Sequence, residues 1–427
     1  MTRRVAIVGS GIAGLSAAHH LRGRAHVTLF EAGDYFGGHT HTVDVCLPTP
    51  TGEQTYGVDT GFLVYNERTY PGLIGLFASL NVDVAPTDMS FSVQVPAPHG
   101  GNALEWNGAN LNSVFAQRSN LFKPRFWWML REILRFNQLA TELAESGDDA
   151  RLMQPLQDFL QMHRFGSGFR DGYLLPMLGC IWSCPTDQML LFPVATMVRF
   201  CHNHGLIQVN HRPQWYTVRG GARHYVQKII AGVDQAWLNT PVRRIARDAS
   251  GVDIYTDTGS QRFDQVVLAT HSDQALALLA EPSLMEESAL ARIRYHPNRA
   301  VLHTDVRCMP ERQLAWAAWN YERAAERDAE RSHVCLHYWL NRLQPLPFSQ
   351  DVFVSLNPVR PIDPAKVIDQ FTYSHPVFDL AAIQAQQDIA ALQGVSRTWF
   401  AGAWMGYGFH EDGLKAGRAA AAGILAA

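Results

Sequence analysis

Val5-Ala6-Ile7-Val8-Gly9-Ser10-Gly11-Ile12-Ala13-Gly14 is the stretch whose reading decides the fold. A short apolar, β-branched run leads straight into a GxGxxG turn, and Leu15, Ala17, Ala18 and Leu21 follow at helical spacing. Val27-Thr28-Leu29-Phe30 then reads as a second buried strand that ends at Glu31. Strand, helix and strand in this order form a dinucleotide-binding unit. Gly9 permits the tight turn, Gly11 lets the backbone approach a pyrophosphate, and Gly14 lets the helix pack close to the sheet. The first amides of the helix, at Ile12 and Ala13, present donors and the positive end of the helix dipole to the phosphates. Glu31, about 20 residues past the glycines, accepts hydrogen bonds from a ribose 2′-hydroxyl and repels a 2′-phosphate. On these residues alone NAD and FAD both fit.

Composition bounds the rest. A chain of 427 residues exceeds what one compact core usually holds, so two structural domains are expected. With 47% apolar and 18% charged residues the chain reads as globular, not disordered. The net charge of -3 shows no basic bias, which argues against nucleic acid as a partner. Six scattered cysteines do not form a secreted disulfide framework. The first strand begins at Val5 and leaves no room for a leader, so a cytoplasmic location is expected. His202 with His204 and Cys180 with Cys184 lack the paired spacing of a zinc ligand set, so no metal is expected. Cys201 beside His202 reads as a buried thiol.

What tips the cofactor toward FAD is the continuation Glu31-Ala32-Gly33-Asp34-Tyr35-Phe36-Gly37-Gly38-His39-Thr40, whose second glycine pair lets amides reach the same pyrophosphate from the other side. Here the chain resembles the flavin-containing amine oxidase superfamily. Asp59-Thr60-Gly61-Phe62 resembles that family's acid-x-glycine turn, and Trp399-Phe400-Ala401-Gly402-Ala403-Trp404 its last FAD strand. Gly408-Phe409-His410-Glu411-Asp412-Gly413-Leu414 resembles the turn into its final helix, and Pro241-Val242 the segment that touches the adenine. Gly220-Gly221-Ala222-Arg223 resembles its glycine pair before a helix. The resemblance implies an FAD site built from both ends of the chain, including Ala32, Gly37, Gly38, His39, Thr40, Gly61, Phe62, Val242, Gly402, Ala403, Gly413 and Leu414. Most members carry an arginine after the second glycine pair, where this chain has His39.

The implied fold is α/β: a Rossmann-like FAD-binding domain of the GR2 type, with an interleaved α+β substrate domain. Residues 1–75, 205–280 and 390–427 fall to the first, and 76–204 and 281–389 to the second. The substrate domain is expected to be a mixed sheet roofed by helices, with a helical region from Asn120 to Met162 and strands such as Ala300–Asp305 and Asp351–Leu356. A closer likeness, carried by Gly38-His39-Thr40-His41-Thr42-Val43-Asp44 and Gly406 to Leu414, is to bacterial FAD/NAD-binding proteins encoded beside cyclopropane-fatty-acid-synthase-like methyltransferases. It implies hydride transfer to flavin N5 from a fatty acyl or other lipid-like substrate, and a methyltransferase partner. The alternatives are an amine or amino-acid oxidase, and a flavin-binding partner with little turnover of its own.

Three catalytic candidates follow from the resemblance. Arg299 falls where amine oxidases place a lysine that holds a water at the flavin; arginine cannot tune its pKa as lysine can, and the other reading is a strand-end ion pair. Tyr407, with Trp404, offers an aromatic wall to the flavin or simply packs. His410 offers a proton acceptor, while Asp412 beside it reads as a helix cap. His39 and His41 hydrogen-bond the cofactor phosphate or carry a covalent flavin. Residues 118–136 mix Arg118, Lys123, Arg125, Arg131 and Arg135 with Phe122, Phe126, Trp127, Trp128, Leu130, Ile133, Leu134 and Phe136, which suits either a helix lying on the inner face of the membrane or a roof helix turned inward.

Denatured protein is expected to release FAD and not FMN, because FMN would leave the ribose acceptor Glu31 unused. Chromatography of the released nucleotide checks this; NAD alone would overturn the reading.

Overall fold

The structure, a computed structural model, describes residues 2–95, 104–146, 152–208, 212–324 and 334–427. Five parallel strands run in the order Gln235–Trp237, His26–Phe30, Arg4–Val8, Gln265–Leu268 and Thr398–Phe400. A parallel sheet must be covered on both faces, and the alternation of its central strand decides what covers each. Val5 and Ile7 point to one face, where Val27, Leu29 and Val267 meet the helices Ile12–Leu21 and His410–Ala426. Ala6 and Val8 point to the other, against the antiparallel strands Val242–Arg247, Val252–Thr256 and Gly259–Phe263.

The first and last helices are packed backbone to backbone. A Cβ at Gly14 would overlap the Gly9 carbonyl oxygen, and one at Gly417 would overlap the Ala13 carbonyl oxygen. Ser16 Oγ donates to Leu414 O at 2.8 Å, so the contact is hydrogen-bonded as well as close. Glu411, on the first turn of the last helix, accepts the amides of Gly72 and Leu73, both at 2.9 Å. Those are orphan donors at the start of helix Pro71–Ser79, and a carboxylate there also suits the helix dipole.

A second, seven-stranded sheet runs Val367–Pro376, Tyr295–His303, Phe353–Leu356, Cys335–Trp339, Trp319–Glu322, Phe91–Val95, Leu104–Asn107. It is antiparallel except where Trp319–Glu322 pairs with Phe91–Val95. Helices Pro124–Ser146, Leu175–Trp182 and Val194–Asn203 join it in one large apolar core. The helical region expected from Asn120 to Met162 is the helix Pro124–Ser146 and the helix Leu156–Met162, with residues 147–151 outside the described ones.

Ala289, Leu290, Ala382, Ala385 and Ile389, which the division of the chain gave to the substrate domain, pack in the apolar cluster beneath the parallel sheet. Val84–Thr87 likewise pairs with Trp215–Val218 across the expected boundary. Motif positions locate strands of a sheet, whereas burial decides where the covering helices go. In the helix Pro124–Ser146 the inward residues are Phe126, Met129, Glu132, Phe136, Ala140 and Leu143, while Leu130 and Ile133 are half-buried and Leu134 is exposed. Glu132 is turned inward because its carboxylate accepts the Gly166 amide at 2.9 Å.

Gly417→Ala is expected to lower the unfolding free energy by about 1–3 kcal/mol, the usual cost of overpacking. Gly75→Ala, at an exposed helical glycine with no atom near the added methyl group, should raise it by about 0.5–1 kcal/mol. Urea unfolding of both variants checks the pair.

Candidate active site

The glycine turn is held in shape from three directions. Gly9 has φ +98°, and a Cβ there would lie 2.7 Å from the Ala269 carbonyl oxygen on the neighbouring strand. The amide and hydroxyl of Ser10 both donate to Glu31 Oε2, and the Gly33 amide donates to Oε1 at 2.9 Å. The Gly37 amide in turn donates to Ser10 Oγ at 3.1 Å, which draws the second glycine pair onto the first. Gly38, with φ +57°, lies so close that its Cβ would be 3.1 Å from Gly11 Cα. Ser10, an unassigned position in GxGxxG, is the residue that sequence reasoning missed here; only its hydroxyl couples the two turns.

A cavity of about 1000 Å³ opens over this turn. Its dinucleotide half is lined by Gly9, Gly11, Ile12, Ala13, Glu31, Ala32, Gly37, Gly38, His39, Gly61, Phe62, Val242, Gly402 and Ala403. Four expected residues lie off it. Gly14 serves the helix packing that its glycine suggested. Gly413 meets Ile12, where a Cβ would sit 2.7 Å from Cγ2, and Leu414 is buried in the same cluster, because the last helix starts at His410 and turns these positions toward the first helix. Thr40 is buried, its hydroxyl engaged by Tyr225 OH at 2.6 Å and His410 Nε2 at 3.0 Å.

The residues present fit a dinucleotide. No atom lies within 4 Å of a Cβ placed on Gly11, so the space above its backbone is open. His39 Nε2 is buried on the cavity wall with no hydrogen-bond partner among the described residues. The amides of Ile12 and Ala13 stand at the start of their helix. Bound FAD would use these donors and supply a two-electron acceptor.

Of the three catalytic candidates, only His410 reaches the cavity. Arg299 is exposed on its strand and donates to Gln370 at 3.2 Å; its neighbours Asn298 and Ala300 are the inward residues, and neither is a base. Tyr407 precedes Gly408, whose φ of +93° turns the chain so that Tyr407 lines a separate cleft of about 380 Å³ while Phe409 enters the main cavity. Tyr70, Phe200 and Phe409 border both spaces. His410 stacks on Phe62 at 3.7 Å and shares its Nε2 with Thr40 and Tyr225. Burial lowers its pKa to about 3, so it is neutral and a weak base near neutrality. Asp412 accepts the amides of Tyr407 and Phe409 at 3.1 and 3.0 Å, which is the capping role expected of it.

The cavity wall carries His39, His271 and His375, the latter two unsuspected from sequence because nothing in their spacing marks them. His39 lies 5.4 Å from His375 and 6.3 Å from His271, ring to ring. Burial first, and then neighbouring imidazoles, hold His39 well below the usual value and His375 at about 4. The wall therefore offers neutral imidazoles where most family members have a fixed arginine charge. Asp59 and Gly220-Gly221 prove architectural. Both Asp59 carboxylate oxygens accept the Ala222 amide, at 2.9 and 3.0 Å, just before helix Arg223–Ile230, and burial raises the Asp59 pKa to about 7.

Residues 12–425 match the family of flavin containing amine oxidoreductases, to which this chain belongs. AofH of Mycobacterium tuberculosis, named as a flavin-containing monoamine oxidase, is 27% identical over 301 residues, 66% of this chain and 60% of that protein. The chain thus spans about 60% of the length of the curated relatives it matches. The fold is similar to cyclohexylamine oxidase from Brevibacterium oxydans IH-35A, with TM-score 0.68 and 18% identity over 100% of this chain and 99% of that one. It is also similar to the CLA-producing fatty acid isomerase from P. acnes, with TM-score 0.67 and 18% identity over 98% and 97%. Membership of a flavin containing family accords with the dinucleotide site on the cavity wall.

Gly11→Val should leave the fold intact, since its side chain meets no protein atom within 4 Å at Cβ, and should abolish flavin retention. Flavin absorbance per folded chain, with far-ultraviolet dichroism as the control, checks both halves; a folded variant with full flavin would show the phosphate turn to be misassigned.

Proposed function

We propose that this flavin-containing amine oxidoreductase takes its electron pair from a fatty acyl or other lipid-like chain. One observation carries the reading: away from the glycine turns the cavity is lined by Trp182, Phe200, Trp215, Trp319, Tyr338 and Phe409, with no carboxylate among the described residues there. Glu31 is the cavity's single acidic lining residue among the described ones, and Ser10 and Gly33 already engage its oxygens. An acyl chain needs only apolar walls and the exclusion of water. A protonated amine would find ring faces alone. In this reading the hydride goes to the flavin and the proton to a neutral imidazole on the cavity wall.

The surface of the helical roof supports delivery from a bilayer. Phe122 is 86% exposed, Leu134 60%, Trp128 57% and Trp127 49%. Arg125 and Arg131 stand exposed among them, Arg131 lying 5.4 Å above the Trp128 ring, and no acidic residue occurs from Trp106 to Arg131. Aromatic and apolar side chains enter a headgroup boundary while arginines meet anionic lipid. Arg135 does not belong to this set, because it stacks on Phe165 and donates to His163 O at 3.0 Å. No described helix is long and apolar enough to cross a membrane. A methyltransferase acting on the same acyl chain is the partner this reading calls for.

A second reading, oxidation of an amine, draws on the names of the relatives and on aromatic walls that can hold a cation. Anaerobic mixing separates the two. Loss of oxidised-flavin absorbance with unsaturated phospholipid vesicles and none with an amine panel is the expected result, and the reverse would establish the second. A stable methyltransferase complex with no loss of absorbance by any substrate would leave a binding role. Trp128→Ala with Arg125→Glu and Arg131→Glu should reduce salt-sensitive co-sedimentation with anionic vesicles at normal flavin content; equal sedimentation of variant and wild type would remove this face as the contact.

A further inference from the structure

Two buried histidines of the seven-stranded sheet use both ring nitrogens within the protein. His337 engages Ser355 Oγ through Nδ1 at 2.6 Å and Glu322 Oε2 through Nε2 at 2.9 Å, with Cys335 Sγ 3.5 Å from Nε2. His303 engages Ser355 Oγ through Nε2 at 2.7 Å and accepts the Asp305 amide through Nδ1 at 3.0 Å. His375, on the wall of the main cavity, is bonded on one side of its ring alone: Nδ1 lies 3.0 Å from Asn298 Nδ2. Its Nε2 has no hydrogen-bond partner among the described residues, yet it is not one of the polar atoms that the fold seals away.

Strand pairing sets Asn298 opposite Tyr373 and His296 opposite His375, so the Asn298 side chain reaches the imidazole diagonally on a shared face. Three backbone groups then fix which way the amides point. Asn357 Oδ1 accepts the Arg299 amide at 2.9 Å, and Asn357 Nδ2 donates to Val334 O at 3.1 Å. The same Nδ2 donates to Asn298 Oδ1 at 2.7 Å, and Asn298 Nδ2 donates to His296 O at 3.2 Å. Turning either amide over would set oxygen against oxygen and N–H against N–H. Asn298 Nδ2 therefore meets His375 Nδ1 as a donor, Nδ1 is the bare acceptor, and the neutral ring carries its proton on Nε2. Burial first, and then His271 and His296, lower the His375 pKa to about 4, so the neutral form holds near neutral pH.

We infer that Asn298 and Asn357 are positioning residues that fix His375 as an Nε2–H donor, and that this donor hydrogen-bonds a carbonyl oxygen of a molecule held in the main cavity. An uncharged N–H finds no acceptor on an ammonium group, whereas a carbonyl oxygen offers two lone pairs. Such a donor also stabilises negative charge that builds on the oxygen. The carbonyl has two possible sources, the ester of an acyl substrate and the flavin ring, and only the first rests on the acyl reading above. In either case His375 donates and does not take the proton that leaves the acyl chain. That proton falls to another imidazole of the wall, where His39 and His271 stand.

The test is ¹⁵N NMR near neutral pH of the FAD-loaded protein labelled at histidine, with the His375 signals assigned by their loss in His375→Gln. A bare Nδ1 and a protonated Nε2 are expected; a proton on Nδ1 with a bare Nε2, or a cationic ring, would overturn the inference. Asn298→Asp puts an acceptor where the amide donated, and should shift a proton onto Nδ1 at unchanged flavin content. An unchanged Nδ1 signal would remove Asn298 as the positioning residue. If that variant fails to fold, the wild-type spectrum still decides the tautomer. The acceptor is read from exchange of the Nε2 proton with solvent, before and after adding a short-chain diacyl phosphatidylcholine or its dialkyl ether analogue. Slow exchange before any lipid is added identifies a flavin carbonyl, and slowing by the diacyl lipid alone identifies the ester. Fast exchange throughout, or equal slowing by both lipids, would overturn the carbonyl hydrogen bond. The tautomer result is independent of the acyl reading, which only the comparison of ester with ether tests.

Discussion

The contact of backbone with backbone at the first helix is the constraint on which the rest of the structure depends. Gly9, Gly14 and Gly417 each stand where a methyl group would strike a carbonyl oxygen, so the turn, the first helix and the last helix share space that side chains normally fill. Two ends of the chain, separated by almost 400 residues in sequence for Ser16 and Leu414, thereby form one wall. From that wall Glu411 reaches the start of helix Pro71–Ser79, and His410 reaches Thr40 and Tyr225. Each of these hydrogen bonds presupposes the close approach of the helices. The open space above Gly11 is the reverse of the same design: the one glycine of the turn with nothing against it stands on the cavity wall.

Burial, more than charge pairing, sets the electrostatics of the cavity. His410 and His375 are neutral because water is excluded from them, and Asp59 is raised to about 7 although Thr42 Oγ1, the Ala222 amide and the nearby Arg223 charge all favour its charged form. Neutral imidazoles hydrogen-bond in either sense without imposing a field. An arginine after Gly38 would fix a positive charge at this wall, whereas burial keeps His39 neutral.

Local chemistry was legible in the sequence wherever it rested on backbone. The glycines, Glu31 and the strand Val5–Val8 follow from steric rules that apply at each position. Arg299 shows where such reading ends: in a strand, one residue of offset exchanges the two faces, so its exposure and the burial of Asn298 and Ala300 differ by a single step of register. Tyr407 was misplaced for a similar reason, because the reversal at Gly408 decides which ring enters the cavity. The helix Pro124–Ser146 carries apolar residues on both faces, and periodicity alone could not say which face meets the core. Glu322, Cys335 and His337 have no motif spacing at all; strand pairing brings them together.

The wall between the main cavity and the smaller cleft consists of the rings of Tyr70, Phe200 and Phe409. His204 stacks on Phe200 at 3.8 Å, so the partition is one aromatic layer backed by another. A boundary made of side chains, with no strand or helix crossing it, is governed by χ angles. Passage between the two spaces would therefore be a question of ring rotation within a fixed scaffold, and its rate would respond to the bulk of a single residue where a hinged domain would respond to the whole fold.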